Sequence, residues 1–392
     1  MTIDTSTWQK YEFGDIARNL TTAVKDPLLE GIERYVGLEH IEPGNIHIKS
    51  WGNVADGTTF TKVFHQGQVL FGKRRAYQRK VAIAEFDGIC SGDILVFKAN
   101  EKYVVSELLP FIVQSDKFFD YAIKTSAGSL SPRTKFKDLA KLKFKLPPLD
   151  EQKRLADLLW SVDEVIKAYR KTMGLLRMSL QVFMDDLIKE PNENSAKLRD
   201  FVMIEKGLTY SSNDYGDEKI GEILINLKCF VKFGGFNKDG IKFYKGKYED
   251  KYILESNDLI IANTDITRNG DVVGYPVIVP DFGNRVVLFT MDVSRLKIKN
   301  KDQMIARYLF YLLRTRWAHW YMYSHSSGTT VLHLNVNSVN ELPIPKVNII
   351  VQKNIVNKLK SIEKNIEKYQ NLAETANHIQ KQIINQLFGR KP

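Results

Sequence analysis

The feature that most constrains the fold of this chain is an internal repeat at a shift of 200 residues. The stretch "KLKFKLPPLDEQKRLADLLWSVDEVIKAYRK", which begins at Lys141, has a degenerate second copy in "VNELPIPKVNIIVQKNIVNKLKSIEKNIEKY". Gln152 corresponds to Gln352, and Gly128 upstream corresponds to Gly328, at the same shift of 200. Because a repeat marks a structural unit, each half of the chain is predicted to hold a globular part followed by a helical part.

Both copies carry the apolar spacing of a coiled-coil helix, with steps that alternate between four and three residues. In the first copy the seam residues are Leu155, Leu159, Val162, Ile166, Tyr169, Met173, Leu176, Leu180, Phe183 and Leu187. In the second copy they are Ile355, Leu359, Ile362, Ile366, Tyr369, Ala373, Ala376, Ile383 and Leu387, with Gln380 as a polar interruption. Each helix is predicted to run for about 40 residues, or about 60 Å.

The ends of the helices carry start and stop signals. Prolines precede the first helix and Asp150 lies near its N-terminus, where an acidic oxygen accepts from free N–H groups. Asn348 is predicted to cap the second helix in the same way, and "KEPNENS" is predicted to end the first.

We expect the two helices to pack antiparallel. Pairing residues whose numbers add to about 542 sets large side chains against small ones, as interdigitation requires. Tyr169 then faces Ala373, and Tyr369 faces Met173. A parallel pair would instead set Tyr169 against Tyr369.

The residues before each helix read as strands followed by helices, which favours an α+β fold. In the first half the strands are "RYVGLEHI", "QVLFGK", "KVAIAEF" and "DILVFKA", and helix-like stretches follow at "SELLPFIVQSDKFFDYAIK". In the second half the strands are "EILINLKCF", "DLIIANT", "VVGYPVIV" and "NRVVLFTMDVSRLKI", and the helix is "IARYLFYLLRTRWAHWYMY". The predicted boundaries are 1–149 and 191–347 for the globular domains, and 150–190 and 348–392 for the long helices.

The charge of the chain indicates the kind of partner it binds. A net charge of +11 and a pI near 9.3 favour a polyanion such as nucleic acid. The two cysteines, Cys90 and Cys229, lie in apolar runs and predict a reducing compartment without disulfides. Neither a membrane span nor a signal peptide is recognisable, so a cytoplasmic protein is expected.

Three kinds of loop look suited to bind DNA, although each is also compatible with an ordinary polar surface loop. The basic loop "FGKRRAYQRKVA" offers Lys73, Arg74, Arg75, Tyr77, Arg79 and Lys80. The glycine-centred loops "TSAGSLSPRTKF" and "HSSGTTVLHLN" offer Ser129, Arg133 and Lys135, and Thr329, Thr330, His333 and Asn335. The weaker third stretch, "NTDITRNGDVVG", offers Thr264, Asp265, Thr267, Arg268 and Asn269 at the place of the basic loop.

Catalytic motifs are missing from the sequence. There is no phosphate-binding G-x-x-x-x-G-K-[ST] loop, and the seven histidines show no metal-ligand spacing. There is also no Asn- or Asp-Pro-Pro-aromatic tetrapeptide of the kind that grips an amino group for methylation. We therefore predict neither a catalytic residue nor a metal site.

Together these stretches resemble the specificity subunit of type I restriction-modification systems. The resemblance covers the whole chain and rests on the "PPLDEQ" junction, its echo "PIPKVNIIVQ", the two glycine loops and "VLFGKRRAYQRKVAIAEFDGICSGDILVF". The second junction departs from the pattern, because Val351 stands in the position of Glu151.

The resemblance implies two target-recognition domains that each read one half of a split, asymmetric site in double-stranded DNA. Two conserved helices would separate these domains and dock two methyltransferase subunits, and through them the restriction subunits. The chain itself would be non-catalytic and would bind no cofactor. S-adenosylmethionine would belong to the methyltransferase subunit, and ATP and magnesium to the restriction subunit.

Three other classes of protein compete with this interpretation. A DNA methyltransferase or nuclease that acts alone is disfavoured by the missing motifs. A half-type or related-system specificity subunit would differ in its genomic neighbours. A purely structural coiled-coil scaffold would not retain DNA when bound to its partner.

Overall fold

The computed structural model describes residues 6–188, 195–232, 234–267 and 269–389. The chain divides into two compact units, and each unit contains part of both long helices. Unit 1 combines residues 1–171 with 370–392, and unit 2 consists of residues 172–369. Within the described residues, no helix is both long and apolar enough to cross a membrane.

Unit 1 is a mixed sheet-and-helix domain. Its strands are β1 Gln9–Glu12, β2 Ala17–Leu20, β3 Arg34–Val36, β4 Gly52–Asn53, β5 Lys62–Phe64, β6 Val69–Gly72, β7 Val81–Ile83, β8 Gly88–Cys90, β9 Ile94–Ala99 and β10 Lys143–Leu146. Its helices are α1 Phe13–Ile16, α2 Leu109–Gln114, α3 Asp116–Lys124, α4 Phe136–Leu139 and the first part of α5 Leu149–Asp185.

The strands of unit 1 form an antiparallel sheet of order β2-β9-β6-β7, a mixed sheet of order β4-β3-β8-β5 and the antiparallel pair β1-β10. The first sheet packs against α2 and α3 through a buried aromatic cluster. At its centre, the ring of Phe118 lies 4.9 Å from that of Phe13 and 5.2 Å from that of Phe71, between ring centroids. Edge-to-face aromatic contacts of this kind add to the stabilisation from burial.

Unit 2 repeats this organisation. Its strands are β11 Ser195–Lys197, β12 Val202–Lys206, β13 Tyr215–Gly216, β14 Glu222–Ile225, β15 Phe230–Val231, β16 Gly235–Phe236, β17 Lys242–Tyr244, β18 Leu259–Ala262, β19 Thr264–Asp265, β20 Pro276–Ile278, β21 Val287–Phe289, β22 Val293–Ile298, β23 Ser326–Ser327, β24 Leu332–Leu334 and β25 Pro343–Pro345. Its helices are α6 Leu198–Phe201, α7 Ala306–Leu313, α8 Arg316–Ser324, α9 Val336–Asn340 and the first part of α10 Ile349–Phe388.

The central strands of the sheets correspond between the two units. The order β12-β22-β18-β20 repeats β2-β9-β6-β7, β17-β14-β21 repeats β4-β3-β8, and β11-β25 repeats β1-β10. The predicted α+β fold with an internal repeat is therefore confirmed.

One local prediction is wrong. The single helix predicted at residues 305–323 is two helices, α7 and α8, just as the helix-like stretches of the first half form α2 and α3. The break occurs where Ser115 and Thr315 cap the second helix. Their hydroxyls accept from the backbone N–H of Phe118 at 3.3 Å and of Ala318 at 3.1 Å. A hydroxyl that satisfies free N–H groups favours a new helix start over continuation.

The junction into each long helix is held by a buried glutamine. The side chain of Gln152 accepts from the backbone N–H of Val105 at 3.1 Å and donates to carbonyl oxygens of Tyr103 and Pro147, both at 2.9 Å. Gln352 makes the same three bonds with Ile305, Gln303 and Val347. This explains why the glutamine recurs although the rest of the junction is degenerate.

Both α5 and α10 are long and run antiparallel, as predicted. In unit 1 the side chain of Gln380 donates to the carbonyl oxygen of Leu159 at 3.1 Å. In unit 2 the ammonium group of Lys358 lies 4.1 Å from the centroid of the Phe183 ring. The residue numbers of these pairs add to 539 and 541, as antiparallel pairing with a constant sum requires.

The buried stripe follows the predicted seam in the middle of each helix and drifts from it near the ends. Leu159, Ile166 and Leu180 are buried, but Phe183 is exposed and Met184 is buried in its place. After the end of α5, Ile188 is likewise buried in place of its neighbour Leu187, the predicted seam residue. An α-helix has 3.6 residues per turn and therefore rotates relative to a strict heptad spacing, and near the ends its buried residues pack into the cores of the globular domains.

Candidate nucleic-acid interface

In unit 1 the structure brings two of the predicted DNA-binding stretches together. The basic loop, residues 73–80, connects β6 to β7, and the first glycine loop, residues 127–133, connects α3 to α4. The backbone N–H of Thr134 donates to the carbonyl oxygen of Lys73 at 3.1 Å, and that of Arg75 donates to the carbonyl oxygen of Pro132 at 2.8 Å. The two loops thus form one surface, although about 50 residues separate them.

Two carboxylates inside this surface hold its arginines in place. Asp93 accepts from Arg133 at 2.7 Å and lies 3.0 Å from the guanidinium of Arg74. Burial alone would raise the pKa of Asp93, but the hydrogen bond from Arg133 and the neighbouring positive charges outweigh it and lower the pKa. Asp116 pairs with Arg79, whose guanidinium also lies 4.5 Å from the centroid of the Phe119 ring.

The backbone of the basic loop is constrained as well. Arg75 and Arg79 adopt left-handed conformations with φ of 53° and 54°, which are unusual for residues with side chains. The ammonium group of Lys80 donates to the carbonyl oxygen of Leu38 at 2.6 Å. Strained backbone persists only where surrounding contacts fix it, so this loop presents its side chains in one arrangement.

Several predicted residues of unit 1 are turned toward solvent. Tyr77 is 55% exposed, and Ser129, Arg133 and Lys135 are also exposed. Arg133 is one of the anchored arginines, and Tyr77, Ser129 and Lys135 add hydroxyl and cationic groups that can contact phosphates.

In unit 2 the equivalent stretches also meet, but with different chemistry. Thr264 in β19 lies opposite His333 in β24, which also pairs with β23. Here the fully buried carboxylate of Asp265 organises the surface. It accepts from the backbone and hydroxyl of Thr267, both at 2.7 Å, and from the backbone of Val272 at 2.6 Å.

The predicted residues of unit 2 therefore separate into two groups. Thr264 is buried and donates to Asp292 at 3.2 Å, and the side chain of Asn335 accepts from backbone N–H groups at the start of α9. Asn335 is nevertheless exposed, as are Asn269, Thr329, Thr330 and His333. Arg268 lies outside the described residues.

Sequence reasoning missed three exposed residues near these loops. Leu130, within the first glycine loop, is 88% exposed. Trp320 and Tyr323 are 61% and 41% exposed on α8, away from its buried residues, and the ring of Tyr323 lies against Gly270. The spacing of three residues on a helix with a buried opposite face would have indicated the aromatic pair.

The described residues contain no cluster of His, Cys, Asp and Glu that could hold a metal ion. Both cysteines are buried, and burial raises the pKa of Cys90 to about 12 and that of Cys229 to about 11. Their thiols therefore stay protonated at neutral pH.

Comparison with known proteins gives consistent matches over both halves. The model of the type I restriction modification DNA specificity domain matches residues 5–172 and 192–376. The EcoDI type I restriction enzyme specificity subunit of Escherichia coli is 31% identical over 180 residues, which cover 43% of this chain and 38% of that protein. The MjaVIII specificity subunit of Methanocaldococcus jannaschii is 22% identical and covers 98% of this chain and 92% of its own length.

Two solved structures share the fold. A chain from a study of complex assembly and conformational transition of the type I R-M system superposes with a TM-score of 0.60 at 17% identity, covering 97% of each chain. The type I restriction-modification S subunit from M. genitalium gives a TM-score of 0.55 at 11% identity, covering 100% of this chain and 99% of its own. At these identities the structures establish the arrangement of sheets and long helices.

Proposed function

This chain belongs to the family of type I restriction-modification DNA specificity subunits, whose role is to recognise DNA sequence, and from this premise we propose that it reads a bipartite, asymmetric site. Each globular domain would bind one half of that site. The supporting observation is that the two globular domains share one framework and carry a polar loop surface at equivalent places, but the side chains of the two surfaces differ. Arginines and lysines dominate the first surface, whereas threonines, asparagine and histidine dominate the second. Different donor patterns read different bases.

We further propose that the long helices dock two methyltransferase subunits, and through these the restriction subunits. Leu175, Met178 and Val182 on α5 are 56%, 68% and 56% exposed. Contiguous exposed apolar side chains on a helix favour a protein partner that covers them. The equivalent residues of α10, 200 positions later, are Thr375, His378 and Gln382, so α5 would supply most of the apolar contact.

In this proposal the chain carries out no chemistry and binds no cofactor. S-adenosylmethionine would be bound by the methyltransferase subunits, and ATP and magnesium by the restriction subunits, in a complex that works in the cytoplasm. Purified chain incubated with labelled S-adenosylmethionine and DNA should transfer no methyl group. Methyl transfer by this chain alone would overturn the proposal.

A domain exchange tests the division of recognition between the domains. Residues 198–347 are replaced by the equivalent domain of a relative, and the methylated sequence is read by methylome sequencing of the host. We expect one half of the site to change, with the other half and the gap unchanged. A change in both halves would contradict independent recognition.

The same readout tests whether the helices set the gap between the half-sites. One heptad is inserted after Ser179 and another after Ser361. These positions face each other, because their residue numbers add to 540 and the observed contacts add to 539 and 541, so the antiparallel register is kept. Seven residues add about 10 Å of helix, or about three base pairs. An unchanged gap in the methylated sequence would show that the helices do not set the spacing.

A further inference from the structure

Leu130 is an apolar side chain at the tip of a polar, cationic surface. Among the large apolar residues of the described chain, none is more exposed than Leu130 at 88%. Its neighbours in the first glycine loop are Ser129 and Ser131. A single exposed leucine is common on protein surfaces, so its meaning depends on how the loop holds it.

The loop holds Leu130 in a fixed position. Ala127 and Arg133 exchange backbone hydrogen bonds of 3.0 and 2.9 Å across its base, and Gly128 makes the turn with φ of +115°. The guanidinium of Arg75 lies 3.4 Å from the carbonyl oxygen of Leu130 and 3.4 Å from the hydroxyl of Ser131. The main chain of Leu130 is therefore tied to the basic loop, and its side chain projects from a rigid base.

The charges around this tip determine what approaches it. Lys73, Arg74, Arg75 and Arg133 belong to the two loops that meet here, and Asp93 neutralises only part of their charge. A DNA phosphate backbone is attracted to such a surface. When DNA binds, a leucine side chain gains free energy only by contact with apolar groups of the nucleic acid.

The 5-methyl group of thymine is the apolar group that base edges present in the major groove. We propose that Leu130 reads thymine through this methyl group in the half-site bound by the first domain. The proposal rests on the proposed function and adds a base identity to it. Thr330, the equivalent residue of the second domain, carries a hydroxyl beside its methyl group and can also hydrogen-bond to base edges.

Deoxyuridine provides the test, because it differs from thymine only by the absent methyl group. The methylated site is first identified, and duplexes are then made in which each thymine of the first half-site is replaced singly by deoxyuridine. Binding is measured with the complete complex of this chain and its methyltransferase subunits. For the wild type, one replacement should weaken binding about fourfold, the effect of one buried methyl group.

Leu130→Ala should bind the thymine duplex more weakly and lose the difference between thymine and deoxyuridine at that one position. Leu29→Ala is the matched control, since Leu29 is 86% exposed in the turn before β3, outside both loops. It should retain the wild-type ratio. Equal melting temperatures of the three proteins would show that folding is unaffected.

Three results would overturn the assignment. One is a first half-site without thymine, and another is a Leu130→Ala complex that keeps the wild-type ratio. In the third, Leu130→Ala binds all duplexes more weakly, and no deoxyuridine replacement changes the affinity of the wild type. That result would indicate that Leu130 inserts as an apolar wedge between base steps. In each case the proposed function still holds if the wild-type complex binds DNA sequence-specifically. If the wild-type complex shows no sequence-specific binding, the proposed function is itself contradicted.

Discussion

Asn385, near the end of α10, is bonded reciprocally to Asp116, the first residue of α3. Its side-chain oxygen accepts from the backbone N–H of Asp116 at 2.9 Å, and its amide nitrogen donates to the Asp116 carboxylate at 2.6 Å. In unit 2, Asp185 accepts from the backbone N–H of Arg316 at 2.7 Å and from its guanidinium at 2.6 Å. In both units the end of one long helix caps a short helix contributed by the other half of the repeat.

The first prediction concerns this cap. Asn385→Asp should lower the free energy of unfolding by about 1–3 kcal/mol, because Asp116 loses a donor and gains a like charge as neighbour. Arg79 and Lys381, which also contact Asp116, offset part of the loss. Urea denaturation near neutral pH measures the change, with exposed Gln386→Glu as the charge-matched control. Equal stability of the two variants would contradict a role for the cap.

The second prediction concerns the glutamine junctions. Gln152→Leu and Gln352→Leu should each destabilise the protein by about 2–4 kcal/mol, because part-buried backbone groups such as the N–H of Val105 and of Ile305 lose a side-chain partner. Lys153→Ala and Lys353→Ala are the exposed neighbours that serve as controls. Thermal unfolding of the four variants decides the question, and a mild effect at only one junction would show that the two are not equivalent.

The third prediction concerns pH. The pKa of His47 is raised above 6.5 chiefly by the hydrogen bond to Asp163, against the effect of burial and with a further contribution from Glu85. Both carboxylates lie 2.6 Å from the ring, and the Trp160 ring packs beside it. The charged form is favoured in the folded state, so this stabilisation is complete below the unfolded pKa. It is lost as the pH rises through the folded pKa.

Urea denaturation from about pH 5.5 to pH 8.5 should therefore show a decline in stability above about pH 6.5 that His47→Gln removes. His65→Gln is the control, because His65 is 61% exposed and pairs only with the exposed Asp87. A wild-type curve that matches that of His47→Gln would exclude the linkage.

The fourth prediction concerns the direction of the helices. Cysteines placed at Phe183 and Lys358 should form a disulfide on mild oxidation, because these side chains are in contact in the antiparallel pair. Cysteines at Phe183 and Ile383, which correspond in the repeat and would face each other in a parallel pair, should stay reduced. The buried native thiols, with their raised pKa values, should not interfere. Non-reducing electrophoresis reads the result, and the reverse pattern would require a parallel pair.

The fifth prediction concerns salt. Lys73→Ala combined with Arg75→Ala should weaken DNA binding by the assembled complex and reduce the slope of log affinity against log salt by about 0.9 per lost phosphate contact. Replacing Lys10 and Lys25, which are exposed in unit 1 and belong to neither loop, gives a charge-matched control. An unchanged slope for Lys73→Ala with Arg75→Ala would mean that the basic loop does not contact phosphate.

The sequence by itself determined the repeated α+β framework, the two long helices and their direction. Heptad spacing is a property of the local backbone period, so Leu159, Ile166 and Leu180 could be assigned to the seam without a structure. Pairing of large with small side chains then selected the antiparallel arrangement. Even the cap at Asn348, whose side chain accepts from the backbone N–H of Ile350 at 2.8 Å, was readable from local chemistry.

Only the tertiary structure decided which loops share a surface and which of their side chains are free. The basic loop meets the first glycine loop because sheet pairing and the packing of α3 bring together residues about 50 positions apart. The same contacts commit Arg74 and Arg79 to carboxylates and leave Leu130 exposed. In the sequence, Asp265 and Thr264 cannot be distinguished from other polar loop residues, but in the fold both are buried. Such outcomes depend on non-local contacts, which no local spacing of residues encodes.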